Sequence, residues 1–233
     1  DKMFAITVFP APFSPSTSQF LPADSFQFRF DNTMRPSKAT VAFRNSTKGL
    51  PIATMLRIAV PATGPVNAEG FYGDIKIETV SGNVTVTDVG GHLALKSMSG
   101  ELHLIRPSGS VEAETISGDI SFIWPASAKV SARTTQGRIT YEGDFLRRGR
   151  YDFRSHSGNI EAVCTAASSF TLAARTVRGK VEKDPSMRMT PLEQPRLGIP
   201  PITFTTIVGN PQAGNASVLM NSFSGTIRVR LQQ

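Results

Sequence analysis

The stretch KSMSGELHL, residues 96–104, has two close relatives elsewhere in the chain. ETVSGNVTV lies eighteen residues earlier, at 78–86, and ETISGDISF lies eighteen residues later, at 114–122. Each copy has a charged residue, a hydroxyl residue, an apolar residue and then Ser-Gly. Similar stretches at a fixed interval are the signature of a repeat architecture, in which each repeat is one supersecondary unit. The period of the repeat therefore decides the fold.

A nine-residue interval between glycines underlies these copies. The shared pattern of the units is glycine, any, apolar, any, apolar, any, any, apolar, small, and the first seven units open at Gly64, Gly73, Gly82, Gly91, Gly100, Gly109 and Gly118. Apolar residues at the third and fifth positions have the period of two that a half-buried strand requires, and the recurring glycine marks a bend. With insertions the pattern continues to Gly225, so that two units close one coil of 18 to 21 residues.

Stacked coils of this kind predict an all-β fold, a parallel β-helix or β-solenoid with two strands per coil. Coils about 4.8 Å apart place equivalent residues above one another. One internal column is predicted to contain Ile75, Leu93, Val111 and Val130, and a second to contain Val84, Leu102, Ile120, Ile139, Ile160 and Ile227. A coil cannot bury its own apolar edge without neighbours, which explains the many copies.

The chain divides into four segments by this pattern. Residues 55–183 carry the β-solenoid repeats, and residues 216–233 are predicted to be the final coil. Residues 1–54 lack the nonapeptide but hold an alternating run, Phe26, Phe28 and Phe30. This segment is predicted to be either a β cap over the open end of the stack or an arm that pairs with another subunit. Residues 184–215 are rich in proline, which central strands do not accept, and are predicted to be an inserted loop.

The seventh position of every second unit holds a hydroxyl side chain. Alternation from the inward third and fifth positions turns it inward, where stacked hydroxyls can hydrogen-bond to one another or to the turn backbone at each glycine. We interpret this ladder as structural, because no histidine stands beside it at every step, as nucleophilic activation would require. The members of this hydroxyl ladder are Thr79, Ser97, Thr115, Thr134, Ser155, Thr176 and Ser222.

The sixth position of the same units points outward and carries charge. Its first residues alternate in sign, in the order Glu78, Lys96, Glu114 and Arg133. A like-charged face is then predicted from Arg133, Arg154 and Arg175, flanked by Arg138, Arg178 and Lys180. Residues 127–183 hold 11 Lys and Arg against 5 Asp and Glu. This basic face is expected either to bind a polyanion such as an acidic glycan or to be an ordinary solvated surface.

Composition narrows the classes of function. The chain is 39% hydrophobic and 18% charged, and no apolar run approaches the length of a transmembrane helix. Cys164, the only cysteine, lies in an apolar run and is predicted to be a buried, unreactive thiol. The three histidines fall at different unit positions, so we expect neither a metal site nor another cofactor. Outward aromatics are not interleaved with the arginines, which argues against nucleic acid as a partner.

The repeated steps resemble those of the bacterial DUF4097 family, whose members are described as adhesins. The matching residues are TVSGNVTV, SMSGELHL, TISGDISF, SHSGNIEA and SFSGTIRV. The resemblance covers about residues 55–183 and 216–231, and TTQG and TVRG depart from its Ser-Gly step at Gln136 and Arg178. It implies a right-handed β-helix that is exported or faces outward at the cell envelope, and it brings no catalytic site with it. The chain begins at Asp1, which suggests a processed precursor, and we therefore expect a signal peptide to have been removed.

These observations predict a non-enzymatic, exported or cell-envelope protein that binds a surface, a glycan or a protein partner. The alternative is a subunit of an extracellular filament, assembled by end-to-end contacts or strand addition, because open ends that do not close generate fibres. A polysaccharide-active β-helix enzyme is a minor alternative, in which Glu112, Glu114 and Asp119 would supply the carboxylates. The expected partners are a second copy of the chain, an envelope or extracellular protein, or an acidic glycan.

Overall fold

The computed structural model describes residues 6–10, 26–29, 39–43, 54–60, 66–69, 74–165, 167–185, 189–191, 202–209 and 216–232. In these residues the secondary structure consists of twenty-one β-strands, without a helix. The first seven strands are β1 (Ile6–Pro10), β2 (Phe26–Arg29), β3 (Ala39–Phe43), β4 (Thr54–Val60), β5 (Val66–Glu69), β6 (Asp74–Ser81) and β7 (Val84–Thr87). The next seven are β8 (His92–Ser99), β9 (Leu102–Ile105), β10 (Ser108–Ser117), β11 (Ile120–Ile123), β12 (Ala126–Gln136), β13 (Ile139–Glu142) and β14 (Arg150–Ser155). The last seven are β15 (Ile160–Cys164), β16 (Phe170–Thr176), β17 (Val181–Lys183), β18 (Met189–Pro191), β19 (Ile202–Val208), β20 (Ala216–Ser222) and β21 (Ile227–Leu231).

The described strands form two sheets, each receiving one strand from every coil. Sheet A has the order β1, β4, β6, β8, β10, β12, β14, β20, β16, β19, β18, and sheet B has the order β17, β21, β15, β13, β11, β9, β7, β5, β3, β2. Neighbouring coils pair in parallel, as β8 does with β10 and β9 with β11. This confirms an all-β fold built of parallel sheets, in which the chain crosses from one sheet to the other at each corner.

The register of the sheets aligns the repeats as predicted. In sheet A, Ile75 pairs with Leu93, which pairs with Val111, which pairs with Val130. In sheet B the pairing order is Val84, Leu102, Ile120, Ile139, Ile160 and Ile227. Both predicted internal columns are therefore confirmed, and every member is at most 1% exposed. The core lies between the two sheets and extends through the stack.

The glycines at the corner that follows each sheet A strand lie directly over one another. A Cβ placed on Gly118 would overlap the carbonyl oxygen of Gly100, and one on Gly225 would overlap that of Gly158. Both sides of this contact are backbone, so a change of side-chain rotamer cannot relieve it. Close approach of the backbone, and not only conformational freedom, therefore requires glycine here.

The order of the coils departs from the order of the sequence. Strand β20 lies between β14 and β16, and β21 lies between β15 and β17. Residues 216–231, which form these two strands, thus make an inserted coil in the interior of the stack, whereas the sequence analysis placed the final coil at its end. The coil pattern does not encode this order, because any coil with the same internal columns fits between two others.

The segment predicted to be a loop contributes two strands to sheet A. Strand β19 pairs antiparallel with β16, and β18 pairs antiparallel with β19. The prediction of an inserted loop over 184–215 therefore does not hold at residues 189–191 and 202–208. Pro191 ends β18, at the edge of the sheet as the structure describes it, which is where a strand accepts proline.

The N-terminal strands pair with the same chain. Strand β1 lies antiparallel to β4, and β2 lies antiparallel to β3, which continues sheet B beside β5. In the β2 ladder Phe26 is opposite Phe43 and Phe28 is opposite Val41. Phe30, the third member of the predicted arm, lies outside the described residues. The described strands of this segment therefore extend both sheets beyond the first coils of the same chain.

Candidate interaction faces

The hydroxyl ladder lies on the inner side of sheet A, three residues before the glycine of each corner. Parallel pairing joins Thr79, Ser97, Thr115, Thr134 and Ser155 in that order, and the inserted coil then places Ser222 between Ser155 and Thr176. All seven residues are buried, with at most 6% of their surface exposed. A buried hydroxyl has no access to a macromolecular partner, so the ladder belongs to the architecture of the corner.

In the later coils, the hydroxyls on β20 and β16 link one coil to the next. Ser222 Oγ donates a hydrogen bond to the Gly158 carbonyl oxygen at 3.0 Å and accepts one from the Gly225 N–H at 2.8 Å. Thr176 Oγ1 makes the equivalent bonds to the Gly225 carbonyl oxygen and the Gly179 N–H, at 3.2 and 3.1 Å. Among the described residues, the buried hydroxyls of Ser97 and Thr115 have no such partner. The ladder thus has bonded and unbonded segments.

The outward sixth position forms the charge column, and its first four members are Glu78, Lys96, Glu114 and Arg133. Lys96 Nζ lies 3.2 Å from a Glu114 carboxylate oxygen, and both side chains are more than half exposed. Exposed pairs of this kind contribute about 0–1 kcal/mol to stability. The alternation in sign predicted from the sequence is therefore present along the outer face of sheet A.

The predicted arginine run is interrupted by the inserted coil. Arg133 pairs with Arg154, but Asn221 lies between Arg154 and Arg175. Arg154 is also matched by Asp152 on its own strand, with Nη2 2.8 Å from an Asp152 oxygen. The hydrogen bond to this carboxylate raises the pKa of Arg154, so the guanidinium stays charged. The like-charge repulsion expected from three stacked arginines is thus reduced by the tertiary structure.

The basic residues form two groups on either side of the inserted coil, and all six are exposed. Arg133, Arg138 and Arg154 lie on the side of the earlier coils, and Arg175, Arg178 and Lys180 lie on the other. Arg138 is held at its corner by its backbone N–H, which donates to Asp119 Oδ1 at 2.7 Å. A ligand that contacted both groups would have to span the inserted coil, a distance of about 10 Å between backbones.

An aromatic stack connects these two groups at the eighth position of the repeat. The Phe223 ring lies parallel to the His156 imidazole, with a centroid distance of 4.8 Å and an interplanar angle of 2°. The Arg178 guanidinium lies 5.4 Å from the centroid of the same phenyl ring, a cation–π arrangement. Phe223 is thus partly covered by groups of the adjacent coils, and 38% of its surface is exposed.

The same position in the earlier coils carries an apolar stripe, consisting of Val80, Met98 and Ile116. These side chains are 51%, 54% and 51% exposed, although each follows a buried hydroxyl-ladder residue. The repeat pattern marks this position as apolar, but it was not assigned to a face of the sheet from the sequence. Strand alternation would have been enough to assign the eighth position to the outer face, because a residue next to an inward one points outward.

A polar cluster lies at the corner that follows the sheet B strands β13 and β15. Asp144 Oδ1 accepts hydrogen bonds from Thr165 N, Thr165 Oγ1 and Ser168 Oγ at 3.1, 2.7 and 2.6 Å. Burial opposes ionisation of Asp144, but these hydrogen bonds outweigh it and hold the pKa below its usual value. Burial, and then the nearby Asp144 charge, raises the pKa of Cys164 to about 12. Cys164 is buried, as predicted, and its thiol is protonated at neutral pH.

The ends of the described sheets carry features that oppose strand addition. Strand β17 is the terminal strand of sheet B among the described residues, has three residues and is followed by Asp184 and Pro185. Glu182 on this strand is 2.6 Å from Arg228 Nε of the inserted coil. Short, charged edge strands and nearby proline are devices by which natural sheets block edge-to-edge pairing. Sheet A, as described, ends on one side in β1, which runs antiparallel to the coil strands, and on the other in β18, which has three residues and ends at Pro191.

The described residues also bear on metal binding and on membrane spanning. Within the described ranges no cluster of three or more His, Cys, Asp or Glu side chains is arranged to hold a metal ion. In the same part of the chain, no helix has the length and apolarity needed to span a bilayer.

The fold and its regular outer faces define a β-solenoid-like protein of stacked parallel coils. Residues 62–149 match the family model described as Toastrack DUF4097. The match covers the earlier coils and supports the resemblance seen in the repeated Ser-Gly steps. No curated protein and no solved structure matches the chain.

Proposed function

We propose that this protein is a non-enzymatic β-solenoid of the exported or cell-envelope interaction class, adhesin-like in its use of long β faces, and that its basic face binds an acidic glycan. The right-handed sense of the coils and the outward location are part of the proposal and follow from the family resemblance. The observation that carries it is the exposure of six cations on the two sides of the inserted coil, one of which, Arg178, lies over the Phe223 ring of that coil.

The basic face suits a flexible acidic polymer better than a small anion. Its two groups of cations are separated by the inserted coil, so no single small ligand contacts all of them. An extended polymer satisfies both groups at once, and its attraction is long-range and sensitive to salt.

Two of the three carboxylates that a hydrolytic or eliminating enzyme would use have structural partners here. Glu114 forms its ion pair with Lys96, and Asp119 accepts the hydrogen bond from the Arg138 backbone. A general acid or base has to be available to the substrate. These contacts support binding over catalysis.

Binding of polygalacturonate, measured by calorimetry over a salt series, tests the proposal. Replacing Arg175 and Lys180 by serine is expected to weaken binding about three- to tenfold, because each exposed charge contributes up to about 1 kcal/mol. The matched control replaces Arg228 and Arg230 by serine, which removes the same charge from sheet B, where these arginines contact Glu182 and Glu161. An equal loss in both variants would show attraction to net charge alone and would refute a specific basic face.

A further inference from the structure

The apolar stripe is an exposed row on an otherwise polar face. Val80, Met98 and Ile116 occupy adjacent coils of sheet A, about 4.8 Å apart, and each is about half exposed. Single exposed apolar residues are common, but a contiguous row marks an interaction surface. The stripe is built from the strands themselves, so its shape is fixed before any partner arrives.

The later coils show how the same column is covered when the chain supplies the cover. There Phe223 is stacked between His156 and Arg178. Val80, Met98 and Ile116 lie at the same position in the earlier coils and are 51%, 54% and 51% exposed, compared with 38% for Phe223. In the part of the chain that the structure describes, about half of the surface of each of these side chains is therefore open to another molecule.

The charge column beside the stripe indicates which charges a partner surface has to carry. Along the stack Glu78, Lys96, Glu114 and Arg133 read negative, positive, negative, positive. Read in reverse, the same four residues are positive, negative, positive, negative. A column with this pattern is complementary to its own antiparallel copy, which is the property that a two-fold symmetric interface requires.

We propose that two copies of this chain pack sheet A against sheet A through the apolar stripe, with the coils running in opposite directions. The two-fold axis lies along the strands, between β8 and β10. A rotation about that axis keeps each column on itself and reverses the order of the coils. Met98 then meets Ile116 of the other copy, Lys96 meets Glu114, and Glu78 meets Arg133.

The neighbouring outward column permits this arrangement. Its members in the same four strands are Lys76, Ala94, Glu112 and Ser131, which pair across the coils in that order. The rotation places Lys76 opposite Ser131 and Ala94 opposite Glu112, so no like charges meet. An axis through the Met98 coil itself would instead oppose Lys96 to Lys96 and Glu78 to Glu114, which is why the axis is placed between β8 and β10.

The expected dimer is weak and reversible. Four strands at about 4.8 Å spacing and eight residues at about 3.3 Å rise give a face of about 500 Å² per partner. The total of about 1,000 Å² lies at the low end of specific interfaces, below the usual range of about 1,200–2,000 Å². The apolar stripe at its centre and the ionic column at its side match the usual division into a dry core and a polar rim.

Sedimentation velocity over a concentration series tests the proposal on the full chain. The wild type is expected to shift from monomer to dimer as concentration rises. Lys96→Glu sets two carboxylates against each other across the interface, and Glu114→Lys sets two ammonium groups against each other, so each variant alone is expected to sediment as a monomer. An equimolar mixture of the two variants is expected to form the dimer again, because position 96 of each chain then faces the opposite charge at position 114 of the other.

The mixture separates this interface from a purely internal role of the Lys96–Glu114 pair. Both variants lose the internal ion pair, and mixing cannot restore it, whereas mixing does restore both contacts across the two-fold axis. Trp124→Asp is the matched control. Trp124 is 44% exposed and lies in the corner between β11 and β12, so the new charge is outside the proposed face. It is expected to leave the dimer intact, and Met98→Asp is expected to abolish it.

The proposal is overturned if the wild type remains monomeric throughout the series, if either charge variant dimerises alone, or if the mixture sediments as a monomer. These outcomes are independent of glycan binding, since the glycan test changes Arg175 and Lys180, which lie outside the interface. A failure of one proposal therefore leaves the other standing.

Discussion

The corner after each sheet A strand differs between the earlier and the later coils. At Gly82, Gly100 and Gly118 the φ angles are 124°, 139° and 153°, and the Gly100 amide donates to the Ser117 carbonyl of the next coil. At Gly225 and Gly179 no positive φ is found in the described residues, and each amide donates to the hydroxyl three residues before it. In the first type the buried hydroxyls of Ser97 and Thr115 have no partner in the described structure, and Thr79 Oγ1 donates only within its own coil, to the Ser81 carbonyl oxygen at 3.3 Å. The second type bonds its hydroxyls to two coils.

The sequence motif is nearly the same in both types. TVSG, SMSG and TISG precede the earlier corners, and SHSG and SFSG precede two of the later ones. The strands end at different places, however, because β8 runs to Ser99 and β10 to Ser117, whereas β14 ends at Ser155 and β20 at Ser222. One local motif therefore supports two geometries, and the hydrogen bonds between neighbouring coils select between them.

Removal of the inserted coil is expected to have the largest effect. A chain ending at residue 215 loses buried side chains such as Val218, Met220 and Ile227, each worth about 1.5–3 kcal/mol. Because this coil separates β14 from β16, the later coils are expected to unfold while the earlier coils stay ordered. Limited proteolysis with mass spectrometry measures this. Wild-type protection of residues 170–183 in the truncated chain would show that the coil lies at an end.

Gly225→Ala tests the glycine column of the later coils. The added Cβ overlaps the Gly158 carbonyl oxygen, and neither side can move without breaking the ladder. We expect a loss of about 3 kcal/mol or more in the free energy of unfolding, measured by chemical denaturation. The neighbouring Ser224→Ala, at an exposed residue, is the control and is expected to change stability by less than about 0.5 kcal/mol. A mild effect of Gly225→Ala would contradict the close stacking of the corners.

Two of the threonines in the ladder, Thr176 and Thr115, provide a matched comparison of the corner types. Thr176→Val removes one donor and one acceptor and leaves backbone groups unpaired, so it is expected to cost about 1–3 kcal/mol. Thr115→Val removes a buried hydroxyl that has no partner in the described structure, and is expected to be neutral or stabilising. Thermal and chemical denaturation of both variants decide the point. Equal costs would mean that the two corners bond their hydroxyls alike.

Phe223→Ala and Ile116→Ala compare the covered and uncovered parts of the same column. Phe223→Ala loses the His156 and Arg178 contacts and is expected to cost about 1 kcal/mol, measured by chemical denaturation. Ile116→Ala, measured at concentrations where the protein is monomeric, is expected to change stability by less than about 0.5 kcal/mol. A larger cost for Ile116→Ala in the monomer would show that the stripe is covered by its own chain.

An effect of similar size, which depends on pH, is expected at the corner on the opposite side of the stack. Asp144→Asn weakens three hydrogen bonds, and a loss of about 1 kcal/mol is expected near pH 7 after allowance for solvent screening. Since the folded-state pKa of Asp144 is depressed, its contribution is present above the unfolded value of 3.8 and is lost as pH falls through the folded pKa. The free energies of unfolding of the wild type and the variant should therefore converge below the folded-state pKa, and denaturation at a series of pH values would show this. Asp88→Asn, at the exposed pair with Arg106, serves as control and is expected to have less effect.

Much of the architecture could be predicted from residue positions. Val84 and Leu102 stack because each coil repeats the same alternation at the same distance from its glycine, and this information is local. The hydroxyl ladder follows in the same way, up to Ser155. The sequence did not distinguish bonded from unbonded hydroxyls, because Ser97 and Ser222 sit in almost identical motifs.

The candidate faces were less predictable than the fold. The alternating column of Glu78, Lys96, Glu114 and Arg133 follows from consecutive coils and was predicted correctly. The prediction that Arg154 and Arg175 lie on adjacent coils was wrong. Asn221 lies between them and belongs to a coil forty-six residues further along the chain than Arg175. The apolar stripe was visible in the repeat pattern but acquires meaning only beside the Phe223 stack, which again needs the inserted coil.

The sequence by itself determined the coil: its glycine period, its inward and outward positions and the residues that share a column. These are short-range properties, set by backbone sterics at glycine and by the two-residue alternation of a strand. Tertiary structure alone decided the order of the coils, the pairing of β18 and β19 across the proline-rich segment and the bonding of each corner. The physical reason is that every coil offers the same internal columns, so local patterning cannot choose among neighbours, and only the contacts between coils fix which ones meet.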